Sequence, residues 1–204
     1  MPSINLDISN RCTLECGRCM RQWWTYQGKK VPGHDMTMSE YKKIISYFTI
    51  VNFCGNVSDP VMNPKFLDFL RLNHKRNIST EVHNAATGRK LSWYAEAFHA
   101  NPDARWIFGL DGRPEDSHKY RVNQSGADLY EAMLLARDSG IDTTWRMITF
   151  SYNENDIDYC RTLAHSLGIK FEQVISSRFY GDDKLRPRKN YIDRDYKNHI
   201  TKVS

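Results

Sequence analysis

The sequence lacks any apolar run approaching 18 residues, which excludes a membrane-spanning helix of ordinary length. It also lacks a charged-then-apolar leader, because Met1-Pro2-Ser3 runs straight into strand-like Ile4-Asn5-Leu6-Asp7-Ile8. A cytoplasmic protein with no membrane partner is expected. Cysteine is scarce and odd in number, five in 204 residues, with three crowded into eight positions. That count argues against a disulfide framework and for a reducing compartment. Internal repeats and low-complexity tracts are absent. Apolar residues at 40% and charged residues at 26% are ordinary for a globular chain. A chain of this length buries about 70% of the surface its unfolded form exposes, so one domain that folds without a metal or disulfide staple is expected. The net charge of +5 mildly favours an acidic partner or substrate and identifies none.

What the chain does have is Cys12, Cys16 and Cys19, in a stretch that follows the first strand-like run. One tight loop with this spacing turns three sulfurs inward, as zinc or an iron–sulfur cluster requires. Gly17 helps the bend. Structural zinc wants four protein ligands, and His34, after the Pro32-Gly33 turn, is the only nearby candidate for a fourth. One reading is therefore a zinc-binding module without enzymatic activity, whose basic tail binds nucleic acid. The other is a cubane cluster with one iron left open. Cys54 and Cys160 read as small buried apolar side chains.

Strand-like and helix-like runs alternate, which predicts an α/β fold: a partial (β/α)6 barrel of parallel strands, with the site at their C-terminal ends. Strands are expected at 4–8, 50–54, 79–82, 106–110, 143–150 and 170–175. Helices are expected at 38–48, 65–75, 91–100, 128–138 and 155–167, with Thr37 or Ser39 as a cap and Gly140 and Gly168 as stops. Residues 20–35 read as irregular, their Trp23, Trp24 and Tyr26 packing over the cysteine loop or meeting a substrate. Trp145-Arg146-Met147 alternates between the two faces of its strand, so one set faces the lumen. The core domain is expected over 1–175. A basic tail over 176–204 is expected to be partly disordered or to cap the barrel.

The Cys-x3-Cys-x2-Cys spacing after the first strand resembles the signature of the radical S-adenosylmethionine (radical SAM) superfamily. The resemblance extends over about residues 4–180 and points to small, single-cluster members of the branch that matures peptides. It implies that Cys12, Cys16 and Cys19 hold a [4Fe–4S] cluster whose open iron binds the amino and carboxylate groups of SAM. Cleavage of SAM then yields a 5′-deoxyadenosyl radical that takes hydrogen from a substrate. Arg18 stands where an aromatic residue often lies near the adenine, and a guanidinium also stacks on a flat ring. Cys54-Gly55-Asn56-Val57-Ser58-Asp59-Pro60 is similar to a Cys-Gly-Asn-x-x-Asp-Pro variant of the segment that receives the SAM amino group, which implies roles for Gly55, Asn56 and Asp59. Gly109-Leu110-Asp111-Gly112 and Tyr120-Arg121 resemble a Ser-x-Asp-Gly and Tyr-Arg pair. They imply a hydroxyl contact for Asp111 and a carboxylate contact for Arg121, with the serine missing. Asn84, beside His83, falls where relatives carry Thr-Asn-Gly. The resemblance further implies an electron donor such as flavodoxin or ferredoxin, a monomer, and a peptide or nucleotide-type substrate. The first strand starts too early to leave room for a separate leader-recognition domain ahead of it.

Overall fold

The strand-like runs, alternating or wholly apolar, are each separated from the next by at least one helix that crosses back over the sheet, which parallel pairing requires. The computed structural model describes residues 1–179 and 181–188. Its elements are β1 (Ser3–Leu6), α1 (Met20–Tyr26), α2 (Met38–Ile44), β2 (Ile50–Phe53), α3 (Phe66–Lys75), β3 (Ser79–Asn84) and α4 (Leu91–Ala100). They continue as β4 (Arg105–Gly109), α5 (Gly126–Asp138), β5 (Thr143–Thr149), α6 (Ile157–Ser166) and β6 (Lys170–Ile175). The strands lie in sequence order and every neighbouring pair is parallel, leaving β1 and β6 as edges. This is the partial (β/α)6 barrel expected from the sequence.

The helical layer holds the apolar half of every strand. Phe53 stacks on Tyr41 of α2 at 5.8 Å and meets Phe66 of α3 edge-on at 5.2 Å. Trp106 meets Phe98 of α4 at 5.1 Å, and Trp145 meets Tyr130 of α5 at 5.9 Å. The opposite face of the sheet carries Asn5, Asn52, Glu81, His83, Arg105, Arg146 and Glu172, none of them fully buried. Trp145 and Met147 thus point to the helices and Arg146 to the lumen.

Helix ends follow local chemistry. Thr37 closes a capping box on α2: its Oγ1 accepts from Glu40 N at 3.3 Å, while Glu40 Oε2 accepts from Thr37 N at 2.8 Å. Those bonds hold the Glu40 carboxyl down at about 2. Gly140 and Gly168 take the left-handed φ values of 75° and 70° that stop α5 and α6. Residues 20–35 depart from the irregular expectation, because Cys19 starts a helix at Met20. That helix buries only Gln22, and Trp23 and Tyr26 stay exposed instead of packing over the cysteine loop.

Beyond β6 the described part of the tail packs onto the mouth of the barrel. Phe179 meets Phe150 edge-on at 5.9 Å, and Ser151 N donates to Leu185 O at 3.0 Å. The rest of the tail expectation, Tyr180 and 189–204, lies outside the described residues. Tyr41 gives the core its main buried polar chain: its OH donates to Asn73 Oδ1 at 2.6 Å, and Asn73 Nδ2 donates to Thr80 Oγ1 at 2.9 Å. Tyr41→Phe should therefore cost about 1–3 kcal/mol by leaving Asn73 Oδ1 without its donor, read as a lower urea midpoint at unchanged slope.

Candidate functional site

The site grows from the loops at the C-terminal ends of β1, β2, β3 and β4. After β1 the chain turns tightly, with Cys19 N donating to Cys16 O at 2.9 Å. Cys16 is buried; Cys12 and Cys19 are half-buried. The sulfurs already sit in polar contacts, since Leu14 N donates to Cys12 Sγ at 3.4 Å and Cys19 Sγ donates to Asn56 O at 3.5 Å. Burial pushes the Cys12 thiol up to about 12, with Asp59 adding to it. Burial likewise raises Cys16 to about 11, against the pull of Arg121.

Asp7, which the sequence reading passed over, builds the wall opposite. Its Oδ2 accepts from Asn56 N at 2.8 Å and Val57 N at 2.9 Å, and its Oδ1 accepts from Ser58 Oγ. Gly55 must be glycine in this turn, because a Cβ there would fall 1.8 Å from Ser58 O. Arg21 of α1 ties the two loops together, donating from Nη1 to Asn10 O at 2.5 Å and to Val57 O at 3.2 Å.

Asp59 and Asn84 turn inward and bond to each other and to the loop after β3. Asp59 is buried and accepts from Val61 N at 3.2 Å, Asn84 Nδ2 at 3.2 Å, and Ala85 N and Ala86 N at 2.8 Å each. Asn84 in turn donates to Ala86 O at 3.1 Å and accepts from Tyr94 OH at 2.8 Å. Backbone amides at the end of β3 need an acceptor there, and these side chains supply it. Burial raises the Asp59 carboxyl, opposed by those same bonds.

Asp111 and Arg121 pair with each other. Arg121 Nε lies 2.7 Å from Asp111 Oδ2, their side chains are 13% and 0% exposed, and Asp111 Oδ1 also accepts from Ile148 N at 2.7 Å. Gly109, where the serine is missing, lies against this pair: a Cβ there would come 2.8 Å from Arg121 Nη2. Gln124, another residue missed from the sequence, seals this corner by donating to Ala85 O at 2.8 Å and Gly109 O at 3.1 Å. Arg18 pairs with the tail. Its Nε and Nη2 donate to Asp183 Oδ2 at 2.9 and 2.5 Å, and Arg178 Nη1 donates to Arg18 O at 3.2 Å. The tail therefore reaches across the mouth to the cysteine loop.

The lumen below carries a charged chain. Glu81 accepts from Arg105 Nη1 at 3.1 Å and lies 2.6 Å from His83 Nε2. Arg146 Nη1 lies 2.6 Å from His83 Nδ1, and Arg146 Nε donates to Glu172 at 2.9 Å. A guanidinium only donates, so His83 Nδ1 accepts and its proton sits on Nε2 facing Glu81. Burial and Arg146 lower the His83 pKa. Cys54 follows β2 half-buried, in contrast to Cys160 in the packed core, and burial, with Asp7 and Glu81 adding to it, raises its thiol pKa. His34 is exposed and lies 3.0 Å from Glu40 Oε1. Among the described residues no cluster of three or more His, Cys, Asp or Glu side chains converges on a single ion.

The fold is shared with solved structures of radical SAM enzymes. The chain is similar to Streptococcus suis SuiB bound to precursor peptide SuiA, with a TM-score of 0.76 at 13% identity, over 98% of this chain and 45% of that one. It is similar to anSMEcpe with bound AdoMet and the Cp18Cys peptide, with a TM-score of 0.68 at 12% identity, over 91% of this chain and 54% of that one. It is also similar to TYW1 with a lysine-pyruvate adduct bound, with a TM-score of 0.58 at 14% identity, over 89% of this chain and 67% of that one. The chain thus spans about half the length of SuiB and anSMEcpe. No protein-family model and no curated protein matches the sequence. At these identities the likeness is one of fold.

Two outcomes test the geometry. Arg121→Ala leaves Asp111 buried without its counter-ion and should cost about 3–5 kcal/mol of stability, measured by urea titration. His83 has a folded-state pKa below its ordinary 6.5, so the unfolded chain takes up its proton first as pH falls. Stability contributed by neutral His83 is therefore lost below about pH 6.5, and His83→Gln should flatten that part of the stability–pH curve.

Proposed function

We propose that the chain is a radical SAM enzyme acting on a peptide. The observation that carries this reading is the crowding of three thiols onto one loop at the C-terminal mouth of a parallel half-barrel. The donor set fits a cubane better than a single ion. Cys12, Cys16 and Cys19 are free and shielded on one loop, and sulfur is the donor that iron–sulfur clusters take. Cys12, Cys16 and Cys19 would hold that cluster. When bound, the cluster and SAM supply the one-electron chemistry that cleaves SAM and takes a hydrogen atom from the substrate.

The chain's own residues position and enclose. Gly55 and Asn56, fixed by Asp7, offer backbone carbonyls beside Cys19 for the SAM ammonium. Asp59 with Asn84, and Asp111 with Arg121, brace the floor of the cofactor pocket by holding the loops after β2, β3 and β4. Arg18, joined to Asp183, draws the tail over the mouth and restricts water. The core of 1–175 then acts with the described part of the tail, 176–179 and 181–188, as its cover. A peptide is favoured because SuiB is solved with a precursor peptide and anSMEcpe with a peptide. Peptide amides and side chains suit a lumen lined by Asn5, Asn52, Glu81, His83 and Arg146. A flavodoxin- or ferredoxin-type donor supplies the electron through the exposed side of the cysteine loop, at Glu15 and Gly17. No described helix is long and apolar enough to cross a membrane.

Anaerobic reconstitution should give about four irons per chain, lost in the Ala variants of Cys12, Cys16 and Cys19 and kept in those of Cys54 and Cys160. With dithionite and SAM the loaded protein should release 5′-deoxyadenosine. A colourless protein that takes up one zinc and leaves SAM intact would overturn the reading.

A further inference from the structure

We infer that a cavity walled by the cysteine loop, the loop after β3 and the first turns of α3 and α4, separate from the proposed cofactor pocket, binds the oxyanion group, carboxylate or phosphate, of a small ligand. Its volume is about 430 Å³, and its walls include Arg11, Met62, Pro64, Leu67, Arg89 and Trp93. That falls within the range of about 300–1,000 Å³ usual for small-molecule pockets. Two cations and no carboxylate lie on the walls among the described residues.

The two guanidiniums are fixed on adjacent carbonyls. Arg11 Nη2 donates to Met62 O at 2.6 Å, while Arg89 Nε and Nη2 donate to Val61 O at 3.0 and 2.6 Å. Arg89 also lies over the Trp93 ring, 4.8 Å from its centroid. These contacts remove most of the freedom a surface arginine has, so little remains to be lost when a ligand binds. Holding two like charges side by side is unfavourable, and an anion between them offsets that. Arg11 is compensated in part by Asp35 at 2.8 Å, whereas no ion pair to Arg89 exists among the described residues. Each guanidinium keeps its Nη1 without a hydrogen-bond partner among the described residues, which leaves N–H donors for a ligand oxygen. Met62, Leu67 and Trp93 provide an apolar wall for the rest of the ligand.

Isothermal titration of the full-length chain with inorganic phosphate, and separately with glutarate, tests this site. Saturable binding at one site per chain is expected, weakening as salt rises. The tighter of the two probes identifies the phosphate or the carboxylate as the natural group. Arg89→Gln should weaken binding by about tenfold or more by removing the uncompensated charge. Pro64→Glu, which brings a carboxylate to the exposed rim and leaves both arginine clamps in place, should weaken it as much with unchanged far-UV circular dichroism. Absence of saturable binding to either probe, or equal affinity in both variants and the parent, overturns the site. Displacement of bound phosphate by SAM would make the cavity part of the cofactor pocket and overturn its separateness. None of these readouts depends on a cluster or on turnover, so the radical SAM reading stands or falls independently.

Discussion

The carboxylate of Asp59 is the junction on which the mouth of the barrel depends. A parallel strand ends with amides and carbonyls that its neighbours no longer pair, and three such ends meet beside the cysteine loop. Asp59 gathers the amides after β3 directly, and its own N–H donates to Arg11 O at 3.0 Å, immediately before Cys12. Through its backbone and its side chain, one buried residue thereby joins the cysteine loop, the turn after β2 and the turn after β3. Its burial costs free energy that only the full set of donors offsets, so the arrangement holds as a unit.

Asp7 repeats the device one turn away. It holds the Gly55–Ser58 turn against the cysteine loop without being a ligand itself. The pairing of Asp111 with Arg121 closes the third side. Around these three carboxylates the Cys12 and Cys16 thiols are desolvated and held protonated, and the lumen below remains polar.

The two faces of the sheet divide the labour. Aromatic stacking among Tyr41, Phe53, Phe66 and Trp106 fixes the helical layer, and dense packing makes it rigid. Ion pairs and histidine contacts fill the other face, where Glu81, His83, Arg146 and Glu172 link β3, β5 and β6. A substrate entering such a lumen meets charges that are already oriented, which favours specificity over bulk affinity.

Much of this was determined by the sequence alone. Residue periodicity placed all six strands and five helices, because apolar alternation and glycine stops act over a few residues: α4 and β6 fall on the expected bounds, and Thr37, Gly140 and Gly168 end helices as read. Crowding of Cys12, Cys16 and Cys19 is likewise local and marked the site. The helix at 20–26 was missed because it is only seven residues long, too short for periodicity to show, and has Cys19 in place of a capping side chain. Only the tertiary structure decided which carboxylates face a ligand and which serve the protein. Asp7 sits 49 residues from Asn56, Arg18 lies 165 from Asp183, and Asp111 meets Ile148 across 37. Partnerships at such separations depend on strand register and on how loops cross, and no short stretch of sequence encodes either.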